Sequence, residues 1–200
     1  MDFVFSERPA DGNPQGLALV LHGRGADEKD LMTLSGLFSP RVRVLSVRAP
    51  YRYGPGFAWY PLAPDGSPLL DEWGQSVTRL DTLMDQVGGD GLPVLLLGFS
   101  QGGQMAVATA MKRRARNLLG VVSLSAPPVP KRFSDRALEG LPVFWAHGRH
   151  DPVVSWQRGQ AMRQDLRDMG ALVTENVYAM GHEISQEEIS DLAKFLAEVS

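Results

Sequence analysis

The sequence predicts an α/β fold: one mostly parallel central sheet with helices on both faces. Three observations predict it. Short apolar runs recur along the chain, several of them almost continuously apolar, amphipathic segments separate them, and a glycine-rich turn joins one run directly to a helix-like segment. The runs lie at 17–21, 42–47, 94–97, 121–124, 143–146 and 172–178. A strand covered on both faces has no polar side, so an unbroken apolar run is what it requires. Helix-like segments fall near 28–38, 72–87, 101–116, 155–169 and 185–199. Strand–helix alternation of this kind builds a parallel sheet with both faces covered. The 200 residues suit a single domain spanning 1–200, long enough to bury a real core.

Taken in order, Leu17–Leu21 runs into the turn Val20-Leu21-His22-Gly23-Arg24-Gly25-Ala26-Asp27 ahead of the first helix-like segment. No Gly-Lys-Ser/Thr follows, which excludes a phosphate-binding P-loop, and the third glycine of a dinucleotide fingerprint is missing. After Val42–Val47 the rhythm breaks. Residues 50–74 hold Pro50, Pro55, Pro61, Pro64 and Pro68 with Tyr51, Tyr53, Phe57, Trp59, Tyr60 and Trp73. Those prolines forbid a long helix. The segment reads either as a surface loop pinned to the core by its aromatics or as a partial wall over an apolar pocket. Further on, Ser155 is expected to cap the helix that Gly170 stops. Ser185-Gln186-Glu187-Glu188 forms a capping box ahead of the apolar stripe Ile189, Leu192, Phe195, Leu196 and Val199.

Composition narrows the function. The formal net charge of −3 offers no basic face, so nucleic acid is not an expected partner. The absence of cysteine excludes disulfides, thiolate catalysis and cysteine-ligated metal sites. The N-terminus carries early acidic residues and no long apolar run, unlike a signal peptide. No stretch reaches the roughly 18 apolar residues of a membrane span. A cytoplasmic protein without stable membrane insertion is the expectation.

The central motif is Gly98-Phe99-Ser100-Gln101-Gly102, a Gly-x-Ser-x-Gly pentapeptide between the run 94–97 and the segment from Gln104 to Arg116. A nucleophilic serine needs a sharp strand-to-helix turn that lifts its hydroxyl clear of the sheet, and the glycines leave room for that turn. The helix start then aims free N–H groups and a positive dipole end at developing negative charge. Such a fold places its partners in the chain order serine, acid, histidine. Of the histidines at 22, 147, 150 and 182, only His182 lies well past Ser100 and follows a late strand. The candidate acid is Asp151, in the loop after Val143–Ala146, where it would fix the imidazole tautomer and stabilise the imidazolium. Asp-Pro is also a turn-initiating pair, which is the competing reading of Asp151. His150 is expected at the edge of the site and His22 as a brace in its loop. The backbone N–H groups of Arg24 and Gln101 are the expected oxyanion donors.

With these residues assembled, the chain resembles the phospholipase/carboxylesterase family of α/β-hydrolases, which includes acyl-protein thioesterases. The anchors are Leu21-His22-Gly23-Arg24-Gly25-Ala26-Asp27, Gly98-Phe99-Ser100-Gln101-Gly102-Gly103, His147-Gly148-Arg149-His150-Asp151-Pro152-Val153-Val154 and Gly181-His182-Glu183-Ile184. Ala58-Trp59-Tyr60 is similar to the segment that flanks the family's acyl pocket, which implies Trp59, with Phe57 beside it, as substrate-binding residues. The resemblance implies an α/β-hydrolase fold without a large cap domain and a cofactor-free, metal-free esterase, often a homodimer. Its expected substrates are small-molecule acyl esters of short or medium chain, and thioesters in some members. Lysophospholipase, protein thioesterase or peptidase activity on the same fold is the alternative, and a non-catalytic hydrolase-like binding protein is a further one.

Overall fold

A computed structural model of the chain describes residues 3–88, 91–130 and 136–199. Seven strands form one sheet: β1 (Phe5–Arg8), β2 (Gly16–Leu21), β3 (Val42–Val47), β6 (Val94–Phe99), β7 (Leu118–Leu124), β8 (Pro142–Gly148) and β9 (Leu172–Tyr178). The pair β4 (Tyr51–Tyr53) and β5 (Gly56–Ala58) forms a separate hairpin. The helices are α1 (Leu70–Val87), α2 (Gln101–Arg113), α3 (Trp156–Asp168) and α4 (Gln186–Val199). The sheet order is β1-β3-β2-β6-β7-β8-β9. Every pairing in it is parallel except β1 with β3.

The apolar runs divide their side chains between two cores by strand alternation. Leu17, Leu19, Leu21, Leu96, Val121 and Trp145 face a core closed by α1, α2 and α3. Ala18, Val20, Leu97, Val122, Leu124 and Phe144 face the other, closed by α4 and the residues Leu31 and Leu34. The sheet is therefore covered on both sides, and the C-terminal ends of its strands are left free to carry loops.

Three local expectations are corrected. The segment near 28–38 is a 3-10 helix over Asp30–Leu37, not an α-helix. Its buried residues, Leu31 and Leu34, are spaced three apart, which matches the 3-10 period. Ser155 occupies the first cap of α3 but makes no side-chain cap bond; the turn is held instead by the Gly159 N–H on the Ser155 carbonyl. α2 stops at Arg113, because Arg114, Ala115 and Asn117 all take positive φ. The stop at Gly170 stands, with φ +85°.

The capping box of α4 forms as read. Glu188 N–H donates to Ser185 Oγ at 3.1 Å, and Ser185 N–H donates to Glu188 Oε2 at 3.4 Å. Glu188 is fully buried and its Oε1 has no partner among the described residues. Burial pushes its carboxyl up to about 8 from the ordinary 4.5, against the smaller opposing pull of the Ser185 N–H. The folded chain thus holds a proton here that the unfolded chain releases near pH 4.5, so this group's contribution to stability falls as pH rises from about 4.5 through about 8. Glu188→Gln keeps an acceptor for the cap and removes the ionisation. Urea denaturation should show the variant gaining stability over the wild type at pH 8 by more than at pH 5. An equal difference at both pH values would contradict a protonated Glu188.

Candidate active site

Three strand ends converge at the C-terminal edge of the sheet. Ser100 sits between the end of β6 and the start of α2, the loop after β8 carries Asp151, and the loop after β9 carries His182. Ser100 sits at φ +54°, ψ −120°, a conformation that a non-glycine residue adopts only when its surroundings impose it. Its N–H is anchored on the Leu124 carbonyl at 2.8 Å. Gly98 and Gly102, two residues to either side of Ser100, permit this turn because they have no side chains. A Cβ on Gly98 would collide with the Gly102 carbonyl, and one on Gly102 with the carbonyls of Leu21 and His22.

The structure brings the three predicted side chains into one line. His182 Nε2 lies 2.9 Å from Ser100 Oγ, and His182 Nδ1 lies 2.7 Å from Asp151 Oδ2. The carboxylate can only accept, so Nδ1 carries the hydrogen and Nε2 is free to accept from the serine hydroxyl. The other oxygen of Asp151 accepts from the Val153 and Val154 N–H groups, each at 2.8 Å. These donors fix the carboxylate in a buried position. The turn reading of Asp151 and its role beside the imidazole therefore coexist, one oxygen serving each. The Phe99 ring lies 4.8 Å from the imidazole, centroid to centroid, and covers one side of it.

Arg24 and Gln101 both line the cleft that opens on Ser100 and His182. Neither backbone N–H donates to a carbonyl among the described residues, and Gln101 begins α2. The loop bearing Arg24 is braced by His22, which is fully buried. The His22 ring bridges the Gly23 carbonyl at Nδ1, 2.7 Å, and the Ala49 N–H at Nε2, 3.1 Å. One partner accepts and the other donates, so the ring is neutral with its hydrogen on Nδ1; burial also depresses its pKa. His150 is exposed and held by its backbone to Met180, at the margin as expected.

The structure does not bring Phe57 and Trp59 to this cleft. Trp59 is buried behind the site. Its Nε1–H donates to the His22 carbonyl at 2.8 Å, and its backbone N–H donates to Gln101 Oε1 at 2.7 Å. Phe57 packs under the guanidinium groups of Arg48 and Arg52. Both rings line a different cavity of about 250 Å³, away from Ser100. The 50–74 segment nevertheless supplies a wall: Tyr60, Leu62 and Pro68 face the cleft of about 400 Å³ that opens on Ser100, with Pro127, Val153 and Val154. β5 ends at Ala58 and the chain bends at Trp59 and Tyr60, so strand alternation does not aim these two rings: both are buried, and of the two Tyr60 also lines the cleft.

Two supporting residues escaped the sequence reading. His147 is fully buried, bonds the Val154 carbonyl through Nε2 at 2.8 Å, and stacks on Trp145. It thereby braces the loop that holds Asp151. The Gln101 side chain accepts from Trp59 and donates from Nε2 to the Tyr60 carbonyl at 2.9 Å, so the residue expected to supply a backbone donor also ties down the wall. The pattern His147-x-x-x-Asp151 was visible, but no periodicity distinguishes a brace from an ordinary buried histidine.

Comparison with known proteins identifies a family and a fold. The model of the phospholipase/carboxylesterase family matches residues 8–200. The chain is 26% identical over 195 residues to the putative hydrolase MhqD of Bacillus subtilis, covering 94% of this chain and 95% of that one. It is 34% identical over 161 residues to acyl-protein thioesterase 1 of Neurospora crassa, covering 70% of this chain and 64% of that one. Among solved structures, esterase PE8 superposes with a TM-score of 0.85 at 26% identity over the full length of both chains.

The site yields two tests. A Cβ on Gly159 would lie 2.7 Å from atoms of the His147 ring, which is buried and has nowhere to retreat. Gly159→Ala should cost about 1–3 kcal/mol in urea denaturation, as overpacking does. Unchanged stability would show that the ring is not confined. Trp59→Ala should cost about 3–5 kcal/mol, the range for removing a buried tryptophan. Its preference among p-nitrophenyl esters of increasing acyl length should not move; a shifted preference would return Trp59 to the acyl pocket.

Proposed function

The chain belongs to the phospholipase/carboxylesterase family, and from that premise we propose that it is a serine carboxylesterase acting on short- to medium-chain acyl esters, thioesters included. The observation that carries the reading is the hydrogen-bonded line Ser100 Oγ, His182 Nε2 and Nδ1, Asp151 Oδ2. His182 takes the Ser100 proton as Oγ attacks the ester carbonyl carbon. The Arg24 and Gln101 N–H groups bind the oxyanion that forms. Protonated His182 gives its proton to the leaving alcohol, or thiol, and the acyl group remains on Oγ. Water then attacks the acyl-enzyme with His182 again as base, releasing the acid and restoring Ser100. Asp151 stays ionised throughout and holds the imidazole in the productive tautomer.

The apolar wall supports an acyl site of limited length, because Tyr60, Leu62 and Pro68 close one side of a cleft of about 400 Å³. Among the described residues no helix is long and apolar enough to cross a membrane. A single sheet that takes a strand from each end of the chain supports the reading of 1–200 as one domain.

Hydrolysis of p-nitrophenyl esters tests the proposal. Ser100→Ala and His182→Ala should each lower kcat by roughly 10⁴- to 10⁶-fold. Asp151→Asn should lower it by about 10⁴-fold, since the amide stabilises the wrong tautomer. A fluorophosphonate should label the wild type and not Ser100→Ala. Equal labelling of the two, or undiminished turnover in His182→Ala, would refute the assignment.

A further inference from the structure

The cleft has a charge that the chain as a whole does not. Formal net charge is −3, yet the residues lining the cleft include Arg24 and Arg158 and no carboxylate. Arg43, Arg48, Arg113, Arg136 and Arg163 each hold a carboxylate elsewhere in the molecule. Arg24 and Arg158 have no carboxylate partner among the described residues. Arg24 lies over the Tyr53 ring at 4.9 Å from its centroid, which positions the guanidinium without neutralising it. Both cations line the same cleft as the Tyr60 ring. Asp151, the carboxylate bonded to His182, is buried behind the imidazole. It is already compensated by His182 and by the Val153 and Val154 N–H groups.

Two exposed cations at the mouth of a half-apolar cleft define a subsite. They attract anions, bind them through charge-assisted forks, and leave the apolar wall for the aliphatic part of the ligand. We propose that the site selects esters bearing an anionic group, carboxylate or phosphate, away from the reacting carbonyl, with Arg158 and the Arg24 side chain as its recognition residues. The inference rests on the serine esterase reading and specifies its substrate class. The reaction is unchanged: ester and water give acid and alcohol, and the anionic group is held but not altered.

The test measures kcat/KM for matched pairs on the full chain. Monoethyl adipate against ethyl hexanoate places a carboxylate on the acyl side. The butanoyl ester of 3-hydroxypropyl phosphate against propyl butanoate places a phosphate on the alcohol side. At low salt the anionic member of at least one pair should be favoured by about 10-fold or more, as for a charge-assisted contact. The pair with the larger ratio identifies the anion and its side. Raising ionic strength from about 0.02 M to about 0.5 M should compress that ratio, because the cations are exposed. Arg158→Gln should lower the ratio about 5- to 10-fold, Arg158→Lys should preserve most of it, and Arg158→Glu should invert it in favour of an ammonium-bearing isostere. Ratios near one in both pairs, insensitive to salt and to Arg158→Gln, would overturn the inference and leave the esterase reading intact. Failure to hydrolyse any of the four esters or the p-nitrophenyl series would overturn the esterase reading and this inference with it.

Discussion

The architecture depends on one close approach: the first turn of α2 pressed against the end of β2. Gly102 rests on the carbonyls of Leu21 and His22, and Gly98 rests on Gly102. With no Cβ at either position, the chain can leave β6, turn through Ser100 at positive φ, and enter α2 within hydrogen-bond range of the neighbouring strands. The same contact sets the distance between the loop after β2 and the start of α2. The N–H groups of Arg24 and Gln101 belong to those two segments, so the elbow that raises the Ser100 hydroxyl also sets the spacing of these two donors. Strain at Ser100 of the order of 1–3 kcal/mol is held by the packing around it.

Around this contact, buried neutral histidines do structural work that charged residues could not do at lower cost. His22 spans the loop after β2 and the chain after β3; His147 spans the two sides of the loop that holds Asp151. Each imidazole links a carbonyl or an N–H across a turn, and burial keeps both uncharged. Three of the four histidines therefore sit in the shell of one site, and only His182 makes the contact with a hydroxyl. Aromatic and amide side chains complete the shell. Trp59 joins His22 to Gln101, and Gln104 joins Tyr60 to the Pro128 carbonyl.

The chain order of Ser100, Asp151 and His182, together with the unbroken apolar runs, made the sheet and the central geometry legible without coordinates. Both signals are local. A run covered on both faces has a composition that a solvated strand lacks, and a strand-to-helix turn confines its own glycines. What was not legible depends on non-local packing. β1, Phe5–Arg8, has no apolar alternation because it is an edge strand half exposed to solvent. The 3-10 helix Asp30–Leu37 buries only Leu31 and Leu34, too short a pattern to tell its period from that of an α-helix. Trp59 and Tyr60 are neighbours of similar character and both are buried; only their tertiary placement separates Tyr60, which also lines the cleft, from Trp59, which does not. A side chain that fills a cavity and one that lines a pocket are written in the same letters.

Tyr60, Leu62 and Pro68 are carried by a strap that contributes none of the reacting atoms. It is fastened from beneath by α2 through Gln101 and Gln104, and its hairpin is sewn by main-chain bonds to Gly25 and Ala26. Tyr60 serves both ends of this arrangement, since its ring lines the cleft and its hydroxyl is held by Gln104, whereas Leu62 and Pro68 line the cleft with side chains that carry no tie. Those two positions are open to replacement while the moorings stay fixed, so a lineage can reshape the cleft without disturbing the residues that hold it.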